Sequence, residues 1–229
     1  MGRLFSDATP EEEDAFIEQR RQEAFLAACR WPLSWGIPAE RHKRAADYLY
    51  EIAYAAGERE SVREATREWK SGTRTLAGEE LADYRDSELL QDYLLLSGYA
   101  MECILKGILL MMRPDLVVDD KRLHSLVLTH DLNRLCTECH ISLSADEAQL
   151  LGLITRHVLW GKYAGPKDVE DMPSPVDPDD KRRQDLSVSN PFVKRRVQVL
   201  LNGVYTRASE RFAARREEWR AQHAPGAGP

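Results

Sequence analysis

The stretch ELLQDYLLLSGYAMECILKGILLMM, residues 88 to 112, carries the clearest information about the fold of this chain. Its large apolar side chains recur at three- and four-residue spacings that together surround the helix axis, which is typical of a helix buried on every side. Asp86 or Ser87 can cap the first turn. Arg113-Pro114 ends the helix, because proline cannot donate the next backbone hydrogen bond. The sequence therefore predicts a long helix at the centre of the protein.

The composition of this central helix indicates a protein core and not a bilayer. Its most apolar run, Tyr93 to Met112, contains Glu102 and Lys106, whose charges would be costly in hydrocarbon. Gly98 and Gly107 each lower helix propensity by about 1 kcal/mol relative to alanine, so we expect them where neighbouring helices approach closely. We predict no association with a membrane.

Helical periodicity continues through most of the chain, and no segment shows the period-two alternation that predicts a strand. Several helix starts carry their own signals: Pro10 with an acidic first turn, the capping box Ser144-Ala-Asp-Glu147, and Asn190-Pro191. The sequence therefore predicts an all-α fold. The predicted helices span residues 10–30, about 38–57 after a break from Trp31 to Pro38, 88–112, 129–139, 144–160 and 190–219.

Two polar segments interrupt the apolar pattern. Residues 58–85 are highly charged with few large apolar groups, and the segment that follows residue 166 is rich in acidic residues and proline, so we expect both outside the core. The predicted units are an N-terminal helical extension (1–37), a helical bundle (38–220) with a charged excursion (58–85) and an acidic, proline-rich loop (167–186), and a disordered tail (221–229).

Composition is that of a globular protein, with 43% apolar and 31% charged residues. In a chain of this length the four cysteines are expected to be free thiols rather than a disulfide framework. The first residues turn acidic at once and lack the apolar segment of a secretory signal, so we expect a cytoplasmic protein.

The sequence CTECH, residues 136 to 140, has the spelling of a c-type haem attachment site. Haem attachment would require export, and zinc would need a fourth ligand that only Cys103 or His130 could supply from a distance. We therefore expect Cys136 and Cys139 to be small apolar groups at a helix end. His124, His130 and Asp131 are poorly spaced as metal ligands on a helix, so neither a metal nor any other cofactor is predicted.

Charge is unevenly distributed along the chain. Residues 181–220 carry eleven basic and four acidic side chains, a net charge of +7, against −13 for the remainder. A basic final helix on an acidic body is consistent with an anionic partner, either RNA or the acidic part of another protein. The alternative is a solvated face, since Arg207, Arg211 and Arg215 recur every four residues as on many exposed helices.

Three phrases resemble the HEPN domains, helical bundles of toxin, phage-defence and nucleotidyltransferase-associated proteins. These are GYAMECILKGILL at 98–110, THDLNRL at 129–135 and LSADEAQLLGLITRHVLWGKYAGP at 143–166. The resemblance implies an antiparallel bundle, a homodimer, and association with RNA or a protein partner in a prokaryotic defence or toxin-antitoxin setting. Lys162, Tyr163 and Pro166 occupy the family's basic-tyrosine-proline positions, with two extra residues before the proline and lysine in place of arginine.

Ribonuclease members of that family carry an arginine followed after four to six residues by a histidine, and the alternative function is a metal-independent endoribonuclease. Histidine can act as base or acid, and arginine can bind the scissile phosphate. The spacing occurs at Arg134…His140 and again at Arg216…His223, which is what chance supplies for this composition. The adjacent pair Arg156-His157 lies closer to Lys162 and Tyr163. The candidate catalytic residues are Arg156, His157, Arg134 and His140.

Two further groups of residues are candidates for polar contacts. Glu102, four residues before Lys106 in a central helix, should be partly buried and should need partners. We expect it to form a buried polar network with Lys106, His130 and Asp131, although Arg156 is also available. The candidates for RNA or partner binding are Lys162, Tyr163, Lys194, Arg195 and Arg196. Whether the protein is an enzyme stays open.

Overall fold

The computed structural model describes residues 9–59, 68–69, 71–118, 121–163 and 191–223; in these ranges the side chains of residues 10–13, 58, 157, 159–163 and 191–194 lie outside the description. The described chain is all-α, as predicted, with one short hairpin. Its helices are α1 (Pro10–Arg30), α2 (Leu33–Glu58), α3 (Gly78–Met112), α4 (Ser125–Leu128), α5 (Leu132–Glu138), α6 (Ala145–Tyr163) and α7 (Pro191–Gln222).

Helix α3 lies at the centre of the fold. It contacts α2 most extensively, and it also packs against α7, α6 and α5. Leu105, Ile108 and Leu109 in its second half are fully buried, as the continuous apolar pattern predicts. By length and composition α3 could cross a membrane, but 67% of its most apolar window is buried inside the protein. Burial in the core accounts for its apolar character.

The two glycines of α3 lie at close helix contacts, as predicted. A Cβ on Gly98 would meet Cγ2 of both Val158 and Ile154 in α6. A Cβ on Gly107 would lie 2.8 Å from the Phe212 ring of α7 and 2.8 Å from Cβ of Trp35 in α2. Each glycine therefore sets how closely a neighbouring helix can approach α3.

Helix α2 begins earlier than predicted, because the break expected from Trp31 to Pro38 is only a short turn between α1 and α2. The helix starts at Leu33 and contains Pro38. Trp35 stabilises this turn, since its Nε1 donates to the carbonyl oxygen of Cys29 at 3.2 Å. Packing between α1 and α2 outweighs the hydrogen bond that a proline inside a helix removes.

Helix α3 also begins earlier than predicted, at Gly78 rather than at a cap on Asp86 or Ser87. Asp83 is buried and forms an ion pair with Arg59, just beyond the end of α2. This contact holds the first turns of α3 against α2, so residues 78–85 belong to the central helix and not to the predicted charged excursion. Residues 60–67 and 70 of that excursion lie outside the described residues.

The remaining differences are local. The helix predicted over 129–139 is α5 (Leu132–Glu138), which the separate short helix α4 precedes, and α6 continues beyond the predicted end at residue 160 to Tyr163. An antiparallel hairpin pairs Val117–Val118 with Arg122–Leu123, too short to show a period-two pattern. Helix α7 continues to Gln222, where the rings of Trp219 and His223 stack at 4.3 Å between centroids, so the first part of the predicted tail is helical. The predicted loop at 167–186 lies outside the described residues.

Candidate functional site

The turn between α5 and α6, residues 139–144, is called the corner here. Its first part is a Schellman motif: His140 N donates to Thr137 O at 3.0 Å, and Ile141 N donates to Cys136 O at 2.9 Å. His140 holds the left-handed position with φ of 56°. The helix that carries the CTECH sequence therefore ends with its histidine pointing out of the core, because His140 is exposed.

The two thiols of this sequence are core groups, as predicted. Cys136 and Cys139 are fully buried, and Cys139 Sγ donates to Leu105 O at 3.2 Å. Burial raises the pKa of each thiol to about 12. Thiols packed this way are inert, and thioether bonds to a haem would require the core to open.

The second part of the corner is the predicted capping box. Ser144 N donates to Glu147 Oε2 at 2.8 Å, and Glu147 N donates to Ser144 Oγ at 3.3 Å. Arg207 of α7 pairs with Glu147 Oε1 at 2.9 Å and lies 3.4 Å from Ser142 O. Burial acts to raise the pKa of Glu147, but the hydrogen bonds from Ser144 and Arg207 together hold it below the usual 4.5.

This lowered pKa predicts a pH-dependent contribution to stability. A carboxylate whose pKa is lower in the folded state stabilises the protein above its unfolded pKa, and this stabilisation is lost as the pH falls through the folded value. Glu147→Gln should therefore lower the free energy of unfolding by about 1 kcal/mol at neutral pH. Urea denaturation of both proteins between about pH 7 and pH 3 should show the difference shrinking below about pH 4.5. A difference independent of pH would contradict the lowered pKa.

An open groove of about 620 Å³ lies at the corner. Asn133 Nδ2 donates to Ala148 O at 2.9 Å, and this bond joins α5 to α6 along the groove. Thr137, His140 and Ser142 present exposed polar side chains. The lining residues are Asn133, Thr137, His140, Ile141, Ser142, Leu143 and Ala148.

Three arginines of α7, called the arginine row here, follow this part of the surface. Arg196, Arg207 and Arg211 fall within about 60° of the helix circumference. Arg196 pairs with Asp146 at the start of α6, and the charge of Arg211 acts on the Cys139 thiol. The side chains of Arg196 and Arg207 are 61% and 41% exposed. The Arg196–Asp146 pair is exposed on both sides and therefore weak, whereas Glu147, the partner of Arg207, is only 11% exposed. Helix α7 as a whole carries eight basic and three acidic residues, and two of the three arginines of the row are paired with acidic residues of α6.

The predicted pair Arg134 and His140 is not assembled. Both side chains are exposed, and in the described part of the chain no hydrogen bond or ion pair joins them. Arg134 is absent from the groove lining, and its backbone N–H is the group that Asp131 caps, at 3.0 Å. The arginine that reaches the corner of His140 is Arg207, on a distant part of the chain.

The other Arg/His candidates are placed as follows. In the second chance match, Arg216 lies 3.6 Å from Glu217, and His223 Nδ1 donates to Trp219 O at 2.8 Å. Arg156 is half-buried on α6, and the adjacent His157 lies on the same helix with its side chain outside the description.

The predicted binding residues lie on two helices. Lys162 and Tyr163 belong to the last turn of α6, and Lys194 to the first turn of α7; all three side chains lie outside the description. Arg195 is exposed on α7.

Three of the four residues of the predicted polar network come together beside α3. Glu102 Oε1 accepts from Lys106 Nζ at 2.6 Å, and Glu102 Oε2 contacts His130 Nδ1 at 2.8 Å. The side chains of Lys106 and Glu102 are 9% and 12% exposed. Asp131 is not part of this network, because it is exposed and caps α5. The network is therefore an ion pair with one histidine partner.

Comparison with known proteins gives no relative. No protein family matches the chain, and no curated protein or solved structure matches it. Within the described residues, no group of three or more histidine, cysteine, aspartate or glutamate side chains is placed to hold a metal ion.

Sequence reasoning missed Arg207 as a contact of the corner. The only local signal is its four-residue spacing from Arg211, and that spacing does not show which part of the chain α7 crosses. The capping box, in contrast, identified Glu147 from sequence.

Proposed function

We propose that the protein is an HEPN-like helical module that binds RNA through α7 and the corner. The observation that carries this proposal is the arginine row beside an open groove with exposed polar groups. Guanidinium groups bind phosphate oxygens, and clustered basic residues supply most of the sequence-independent affinity for nucleic acids. The HEPN resemblance adds the proposal that two copies associate and that the setting is prokaryotic defence or a toxin-antitoxin pair.

The arrangement supports binding more than catalysis. Among the described side chains, His140 has no arginine bonded to it. Arg207 is bonded to Glu147 and therefore holds the corner together. The endoribonuclease alternative depends on Arg156 and His157 of α6. Incubating labelled RNA with the protein in the presence of EDTA tests that alternative, because cleavage that disappears in Arg156→Ala/His157→Ala would support an enzyme and contradict a purely binding role.

Fluorescence anisotropy with a labelled single-stranded RNA tests the binding proposal. A triple variant, Arg195→Ala/Arg196→Ala/Arg211→Ala, removes two arginines of the row and the exposed Arg195 next to them in the sequence. It leaves Arg207 in place, because that residue holds the corner together. The variant should weaken binding by about tenfold or more, because three phosphate contacts are removed. The control is Arg20→Ala/Arg21→Ala/Arg30→Ala on α1, which removes the same charge from another helix. Equal losses of affinity in the two variants would show that binding depends on the net charge of the protein and not on the arginines of α7, which would contradict the proposal. Absence of binding by the parent would refute it.

A further inference from the structure

His140 occupies a backbone conformation that glycine adopts more easily. It is the one residue other than glycine with a positive φ in the part of the chain that the structure describes. The left-handed conformation costs an L-residue about 1 to 2 kcal/mol, and most Schellman motifs use glycine there. Strained positions of this kind cluster at functional sites. Glycine would adopt this conformation with less strain, so the presence of a histidine side chain at this position calls for a functional explanation.

His140 is exposed and is one of the residues that line the groove, an open surface depression of about 620 Å³. Ile141, Leu143 and Ala148 give the groove an apolar part, and Thr137 and Ser142 give it hydroxyl groups. A flat ring beside an apolar surface with a few polar groups suits a planar, partly polar ligand.

Arg207 places a cation at the edge of the groove. Its Nη2 lies 3.4 Å from the carbonyl oxygen of Ser142, which is a lining residue. Its side chain remains 41% exposed, so a phosphate can approach it from the solvent side. A ligand that combines a planar group with an attached phosphate is a nucleotide.

We infer that the groove holds one unstacked nucleobase of single-stranded RNA, stacked on the His140 ring with its phosphate toward Arg207. This inference rests on the proposed RNA binding and specifies its substrate as single-stranded. Proteins recognise unpaired bases by stacking them on aromatic side chains, histidine included, whereas the bases of a duplex are already stacked on each other. The groove therefore favours single strands over duplexes.

Substitution at His140 separates stacking from folding. His140→Asn removes the aromatic face, and asparagine tolerates the left-handed conformation. His140→Gly removes the ring and relieves the backbone. Both variants should therefore keep the corner folded, which thermal unfolding checks. Each should bind single-stranded RNA about tenfold more weakly than the parent, as expected for the loss of one base stack.

The decisive probe is an RNA of the same length whose bases are missing while the sugar-phosphate backbone remains. His140→Asn should bind this abasic strand, and an RNA duplex, as tightly as the parent does. Equal weakening toward normal and abasic strands would mean that His140 contacts phosphate and would overturn the inference. An unchanged affinity of His140→Asn for normal RNA, with the α7 triple variant still weakened, would overturn the inference and leave the proposed RNA binding intact. A parent that binds none of the three probes would refute both.

Discussion

Replacing Glu102 with alanine is expected to lower the free energy of unfolding by about 3 to 5 kcal/mol. Lys106 is 9% exposed, and Glu102 is its partner at 2.6 Å. Without the carboxylate, a buried ammonium group would lack its countercharge, and His130 would lose a hydrogen bond of 2.8 Å. Urea denaturation followed by circular dichroism measures the change. This is the largest effect that a single polar substitution in the described core should produce.

A double variant shows whether the loss comes from the unpaired charge. In Glu102→Leu/Lys106→Met both charges are replaced by apolar groups of similar volume, a change that is often neutral or stabilising for a buried pair. The double variant should therefore be more stable than Glu102→Ala by about 2 kcal/mol or more. A cost below about 1 kcal/mol for Glu102→Ala is what an exposed pair would give, and it would contradict the burial of Lys106.

Gly98→Ala is expected to lower the free energy of unfolding by about 1 to 3 kcal/mol, despite the better helix propensity of alanine. The added Cβ would lie 2.8 Å from Cγ2 of Ile154 and closer still to Val158. Real Cβ atoms do not approach other carbons so closely, so α6 would have to move away from α3. The movement would open the packing between two helices that hold much of the core.

Gly152 on α6 provides the matched control for this substitution. A Cβ there would meet only Asn133 Nδ2, at 3.7 Å, which is an ordinary contact. Gly152→Ala should therefore stabilise the protein by about 0.5 to 1 kcal/mol, because glycine loses more entropy on folding. Val158→Ala added to Gly98→Ala should recover part of the loss by making room. Equal stability of Gly98→Ala and the parent would show that α3 and α6 are not in close contact.

Local sequence signals predicted the parts of this structure that depend on neighbouring residues. The apolar pattern placed α3 at the centre, and the capping box set the start of α6. The i, i+4 relation of Glu102 and Lys106 predicted their ion pair, because such residues lie on the same face of a helix. Gly98 and Gly107 were predicted at close contacts because glycine lowers helix propensity, so its presence in a central helix indicates that a neighbouring helix approaches closely there.

Features that depend on distant contacts were not predictable in this way. Pro38 was expected to start α2, but the Trp35 contact with Cys29 carries the helix further towards the N-terminus. Asp83 was assigned to a charged excursion because residues 58–85 hold few large apolar groups, and its partner, Arg59, lies 24 positions away in the sequence. Composition records a charged residue but not the ion pair that allows it to be buried.

The candidate site shows the same limit. The motif spacing in the sequence suggested Arg134 as the partner of His140. In the fold, the arginine that contacts the corner is Arg207, which lies 67 positions after His140 in the sequence. Asp131 was expected in the buried network, but its short side chain instead caps α5, a role for which aspartate is well suited. The Arg207 contact cannot be read without knowing how α7 crosses the corner.

The salt dependence of RNA binding is the decisive measurement for the proposed role of α7. If Arg195, Arg196 and Arg211 each contact a phosphate of single-stranded RNA, log K should fall linearly with log salt, and affinity should drop by about 10- to 20-fold between about 50 and 200 mM salt. The triple variant at these residues should show a slope reduced by about two. No measurable binding at low salt, or a slope that the triple variant leaves unchanged, would contradict RNA binding through α7.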